Sequence, residues 1–94
     1  MYIWDIVKDF INEHPIGSEM TRKRLLYRVK FIRKNKPFQE TTVDYFRNML
    51  EKLGYLEKGD KRGVYIVRHH IDRLETVSGI RKAYEEIISN YDYL

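Results

Sequence analysis

Apolar positions recur at helical spacing in four stretches of the chain, separated by turn-forming and strand-like segments. Ile3, Val7, Phe10 and Ile11, with Trp4 beside them, predict a helix over about residues 2–13. His14-Pro15 ends it, because the residue before proline avoids helical backbone. Residues 16–20 form a short connector. Thr21 is then a suitable N-cap for a second helix, about 22–34, with Leu25, Leu26, Val29 and Ile32 on its apolar side. Asn35-Lys36-Pro37 breaks that helix, and Phe38 is expected to reach the core from the loop 35–40. A third helix, about 42–53, places Val43, Phe46, Leu50 and Leu53 on one face, with Met49 at its margin. Thr41 and Asp44 have the spacing of a capping box at its start, and Gly54 suits its end. Residues 55–58 and 64–68 read as strands around the turn Gly59-Asp-Lys-Arg-Gly63. Residues 64–67 are apolar on both faces, which predicts cover on both sides. Leu74, Val77, Ile80, Tyr84, Ile87, Ile88 and Tyr91 predict a last helix over about 77–91, capped by Thr76 or Ser78.

At 94 residues and 43% hydrophobic content, one domain can bury its own core. The sequence contains no cysteine, which excludes disulfides, thiolate metal sites and cysteine nucleophiles and fits a reducing compartment. No apolar run approaches the ~20 residues of a membrane helix, and the first residues lack a signal-peptide pattern. A cytoplasmic protein with no membrane partner is expected.

Charge changes the picture more through its distribution than through the net value of +4. Residues 20–36 hold eight bases and no acid: Arg22, Lys23, Arg24, Arg28, Lys30, Arg33, Lys34 and Lys36. Residues 1–19 hold four acids and one base, and residues 71–94 five acids and three bases. A positive field concentrated in the middle of the chain suits a polyanion, since each neutralised phosphate releases counterions.

A helix, then Leu53-Gly54-Tyr55-Leu56, then a hairpin with a basic tip resembles the recognition helix and wing of winged helix-turn-helix DNA-binding proteins. The resemblance spans about residues 2–70. It implies an α+β, mainly α, fold: a winged helix with a two-stranded wing over 1–70, and an appended C-terminal helix over 71–94, together one compact domain. It implies a brief strand in the connector that pairs with the wing. The connection 35–40 departs from the pattern, being longer than the three or four residues of a compact helix-turn-helix.

The resemblance further implies double-stranded DNA as partner, with the third helix in the major groove and the wing, 58–63, on backbone or minor groove. On the free face of that helix stand Thr41, Tyr45, Asn48 and Lys52. The amide of Asn48 is suited to pair with adenine. Thr41 and Thr42 are suited to meet a phosphate at the helix start, with Arg47 and Lys52 on the backbone. Lys58, Lys61 and Arg62 arm the wing, while Arg22, Lys23, Arg24, Lys34 and Lys36 position the second helix. Positive charge at the start of that helix opposes its dipole, which suggests a purpose other than helix stability.

The last helix carries the apolar stripe Ile80, Tyr84, Ile87, Ile88 and Tyr91. It is expected either to join two copies as a homodimer or to complete the core of its own chain. A two-fold dimer would set two recognition helices about one DNA turn apart. Nothing suggests an enzyme, a cofactor, a metal or a small-molecule ligand. His69 and His70 are adjacent on a strand-like segment and point apart, and Glu85 and Glu86 diverge by about 100° on a helix. The expected function is therefore sequence-specific DNA binding by a homodimeric transcription regulator of viral, plasmid or archaeal type. Two other readings stay open. One is a winged helix that meets protein; the other is RNA or single-strand binding through Tyr27, Tyr45, Tyr55 and Tyr65.

Overall fold

Each apolar stripe in the sequence becomes one wall of a common core. A computed structural model describes residues 2–34 and 36–92, apart from the side chains of Tyr91 and Asp92. Its elements run α1 (Ile3–Asn12), β1 (Glu19–Thr21), α2 (Arg22–Arg33), α3 (Glu40–Lys52), β2 (Leu56–Lys58), β3 (Val64–Val67) and α4 (Val77–Asp92). The fold is α+β and mainly helical: four helices around one three-stranded antiparallel sheet. The sheet order is β1-β3-β2, so the last strand to be made lies in the middle.

The connector 16–20 does contain strand. Glu19, Met20 and Thr21 pair with Ile66, Tyr65 and Val64. On the other edge of β3, Leu56, Glu57 and Lys58 pair with Val67, Ile66 and Tyr65. As the central strand, β3 has both of its backbone ladders satisfied. Tyr65 and Val67 are buried, whereas Val64 and Ile66 are only partly covered.

The core is built from Trp4, Ile6, Val7, Phe10 and Ile11 of α1, Leu25 and Val29 of α2, and Val43, Phe46, Met49 and Leu50 of α3. Leu56, Tyr65, Val67, Ile71 and Ile80 close it, and among the described residues no polar or charged residue is fully buried. Phe38 packs against this cluster from the loop before α3, as its position suggested. The side chain of Asn12 clamps the connection to α4: its Nδ2 donates to the Ile71 carbonyl at 2.8 Å, and the Ile71 amide donates back to its Oδ1 at 2.7 Å.

The helix ends follow local chemistry with one correction. Thr21 caps α2, its hydroxyl accepting from the Arg24 amide at 3.1 Å. Thr76 caps α4 in the same way, through the Gly79 amide at 3.1 Å. Gly54, at φ +89°, closes α3: its amide donates to the Glu51 carbonyl, and the Tyr55 amide to that of Leu50. Lys34, at φ +52°, ends α2; Asn35, expected to break it with Lys36 and Pro37, lies outside the described residues. The Thr41–Asp44 capping box does not form. α3 starts earlier, at Glu40, and Asp44 therefore sits too deep in the helix to reach its first amides. Its carboxylate is held instead by Arg22, because a charge-assisted two-pronged bond outcompetes neutral donors.

Candidate nucleic-acid interface

The acids of α3 are neutralised from within the chain. Arg22, at the start of α2, donates from Nε and Nη2 to the two carboxylate oxygens of Asp44 at 2.7 and 2.9 Å, and lies 3.6 Å from Glu40. Arg47 bonds the Tyr65 hydroxyl at 2.6 Å, lies 4.9 Å above that ring and reaches Glu51 at 3.5 Å. Lys58 of β2 approaches Glu51 at 3.9 Å. Arg22 and Arg47 thus tie α2, α3 and β3 together, and their charge is spent on neighbouring carboxylates. Two of the expected phosphate ligands are therefore already held by carboxylates of their own chain.

The Arg22 hydrogen bonds hold the Asp44 carboxyl below its ordinary range, against the opposing effect of its burial. A carboxylate shifted downward adds stability above its unfolded value of about 3.9 and loses it as pH falls through the folded value. Asp44→Asn should therefore lower the melting temperature most at neutral pH, with the gap to the parent narrowing below about pH 4. Thermal melts across pH check this; a gap constant with pH would mean the ionised carboxylate is not the source.

The remaining cations are disposed outward. Lys23, Arg24, Lys30, Lys34 and Lys36 are exposed and make no ion pair among the described residues. Arg28 and Arg33 differ: Arg28 is bonded to both oxygens of Glu13 at 2.8 Å, and Arg33 to the Pro37 carbonyl at 3.1 Å. On the wing, Lys61 and Arg62 are exposed at the tip, and Gly63 turns the chain at φ +80°. The Arg22 amide donates to the Gly63 carbonyl at 2.9 Å, which fixes the wing base against the start of α2. Between them runs a groove of about 820 Å³ with Lys23, Arg24 and Tyr27 on one wall and Arg62 and Val64 on the other.

The face of α3 expected to be free is partly covered. α4 lies along it, with the Asn48 amide donating to the Tyr84 hydroxyl at 3.3 Å. The Tyr45 and Tyr84 rings meet edge to face at 6.4 Å, and the Arg81 guanidinium stands 6.0 Å over Tyr45. Thr41 and Lys52 remain exposed, Tyr45 is 40% exposed, and Thr42 is half-buried. The polar residues at 41, 45, 48 and 52 read in sequence as a solvent face; the signal that another helix covers them was the tyrosine in the stripe of α4, whose hydroxyl needs a partner.

The same docking corrects the reading of α4 as a dimer seam at its first turns. Ile80 is 2% exposed and belongs to the chain's own core, and Tyr84 packs against α3. Ile87 is half-buried and Ile88 is 41% exposed; they line a shallow hollow with Lys52. The side chain of Tyr91, the last of the expected seam residues, lies outside the described residues.

Two large aromatic residues stand exposed on α2, Tyr27, which the single-strand reading names, and Phe31, which it does not. Tyr27 is 71% and Phe31 69% exposed, both on α2 and opposite its core side. Phe31 and Lys30 were missed as site residues, although the four-residue spacing of Tyr27 and Phe31 away from Leu25 and Val29 was there to be read.

His69 and His70 are both exposed, and His70 Nε2 lies 2.6 Å from the His14 carbonyl oxygen. Among the described residues no group of three or more histidine and carboxylate side chains is placed to hold a metal, and no helix is long and apolar enough to cross a membrane. Comparison with known proteins gives no match to a family model, a curated protein or a solved structure.

Proposed function

We propose that the chain is a winged helix-turn-helix protein that binds double-stranded DNA and regulates transcription as a homodimer. The order of helices and strands, with β1 pairing the far edge of the β2–β3 hairpin, is compatible with a winged-helix layout and supports this reading. The observation that carries the proposal is the separation of charge. Acids on α3 are paired inside the chain, while Lys23 and Arg24 of α2 and Arg62 of the wing stand around one groove, with Lys61 exposed beside Arg62, and none of the four makes an ion pair among the described residues. Paired acids remove the repulsion that phosphates would meet, and unpaired cations supply the attraction.

In this reading the N-terminal half of α3 approaches the major groove with Thr41, Thr42 and Tyr45, because α4 flanks the half that follows. Base readout by Asn48 requires it to leave the Tyr84 hydroxyl. Lys52, Lys34 and Lys36 hold backbone on either side. Dimerisation falls to the outer end of α4, where Ile88 is exposed beside Ile87.

The test is charge reversal at the wing. Lys61→Glu with Arg62→Glu should weaken binding to every duplex in a random pool by a similar factor, about ten-fold or more, since phosphate contacts carry no sequence information. Both residues are exposed, so the melting temperature should hardly change. Unchanged duplex affinity, or no duplex binding by the parent at low salt, overturns the proposal in favour of a protein-binding module.

A further inference from the structure

The outer side of α2 presents two aromatic rings to water in a setting of positive charge. Tyr27 and Phe31 lie four residues apart, so one ring stands a turn above the other. Lys23 and Arg24 precede Tyr27 by about one turn, and Lys30 and Lys34 flank Phe31. All six side chains are exposed, and α2 contains no acid to pair with the cations. Their side of the helix is opposite Leu25 and Val29, which are fully buried. Core packing therefore does not account for the two rings.

We propose that this side of α2 is a second nucleic-acid surface, one that takes single-stranded DNA or RNA by stacking unpaired bases on Tyr27 and Phe31. It goes beyond duplex binding through α3 and the wing: it shares Lys23, Arg24 and the groove to Arg62 with that reading, and adds the two rings, which a duplex does not use. Aromatic side chains serve as stacking platforms for any base, and neighbouring cations track the backbone. A duplex has its bases already stacked and hidden, so it would use the cations and leave both rings in water.

Two other occupants fit less well. A second copy of the same face would set four cations against four, with no acid between them. A membrane surface needs an apolar face segregated from the charged one. Here rings and cations share one side, and the aliphatic side of α2 is already used in the core. The groove from Tyr27 past Arg24 to Arg62 extends the track toward the wing, so a strand lying on α2 is led to the next cation.

The experiment compares labelled oligo(dT) and oligo(U) of about a dozen nucleotides with a hairpin duplex, by fluorescence anisotropy at low salt. The full chain should bind both single strands. Tyr27→Ala and Phe31→Ala should each weaken single-strand binding about ten-fold, and together about a hundred-fold, while Phe31→Ala, whose ring lies off the groove, changes hairpin affinity less than about three-fold. Tyr27→Phe should keep single-strand affinity, because it keeps the ring. Melting curves should be unchanged, since both residues are exposed. Preference for oligo(U) over oligo(dT) assigns the site to RNA, and the reverse to DNA; either supports it. No single-strand binding, an equal loss on the hairpin with Phe31→Ala, no loss on alanine substitution, or binding to phosphatidylserine vesicles alone overturns it. Loss of hairpin binding alone, with oligonucleotides still bound, defeats duplex recognition and leaves this surface standing.

Discussion

Duplex affinity should fall by about three to four orders of magnitude between 50 and 200 mM salt. The magnitude follows from which cations remain to meet phosphate. Of the basic residues expected at the interface, Arg22 and Arg47 are held by Asp44 and Glu51, and Lys58 leans on Glu51. Lys23, Arg24, Lys34, Lys36, Lys52, Lys61 and Arg62 are exposed with no ion pair among the described residues. If each of these seven displaces a counterion, the slope of log affinity against log salt is about −6 for one chain. Anisotropy titrations at four or five salt concentrations give the slope directly. A slope near about −2 would confine the contact to the wing tip, and a flat line would remove phosphate from the interface altogether.

The ion pairs contribute to the same outcome in another way. Partly exposed salt bridges add little stability on their own. What Arg22 and Arg47 supply is geometry: the start of α2, the outer side of α3 and the middle strand are joined through Asp44, Glu51 and the Tyr65 hydroxyl. The long connection before α3 leaves its direction weakly specified by the chain alone. The Arg22–Asp44 bond supplies a second point of attachment between the two helices.

Most of the fold was legible because it rests on periodicity. The stripes of α1, α2 and α3, the glycine after α3 and the hairpin of β2 and β3 all follow from apolar spacing and turn chemistry, and the observed bounds differ by a residue or two. Three-residue β1 was not legible from its own residues. Glu19-Met20-Thr21 has too few positions for an alternating pattern, and its pairing with β3 is a long-range event. The capping box failed for a related reason. Thr41 and Asp44 have the right spacing, but spacing says nothing about an arginine twenty-two residues earlier that reaches the same carboxylate.

The candidate site was legible as composition and only partly as geometry. The basic run at 20–36 predicted a positive surface, and five of its eight cations do stand outward. Which three turn inward or pair depends on where Glu13, Pro37 and Asp44 arrive in space. Asn48 and Tyr45 show the opposite failure. A polar face on an amphipathic helix looks the same in sequence whether water or a tyrosine from another helix covers it. Tyr27 and Phe31 were visible by their phase, since both fall opposite Leu25 and Val29.

Ile80→Ala should lower the melting temperature by about 10–25 °C without changing the mass in solution. Ile80 is 2% exposed and packs in the core, with Leu53 and Tyr55 bordering a hollow beside it. Truncating a buried isoleucine costs about 2–4 kcal/mol, and in a domain of this size each kcal/mol moves the midpoint by roughly 4–8 °C. The loss should be independent of protein concentration, because the lost contacts lie within one chain. Were Ile80 part of a seam between copies, the loss itself would change with protein concentration and light scattering would report a smaller particle. Ile88→Ser separates the two roles of α4. Ile88 is 41% exposed, so its loss should cost under about 0.5 kcal/mol in the single chain. A fall in mass with Ile88→Ser, set against unchanged mass and lost stability with Ile80→Ala, would divide α4 into a first half that completes the core and an outer half that pairs two copies. Unchanged mass in both variants would leave α4 as a core helix alone, and the duplex would then be met by one wing and one α3.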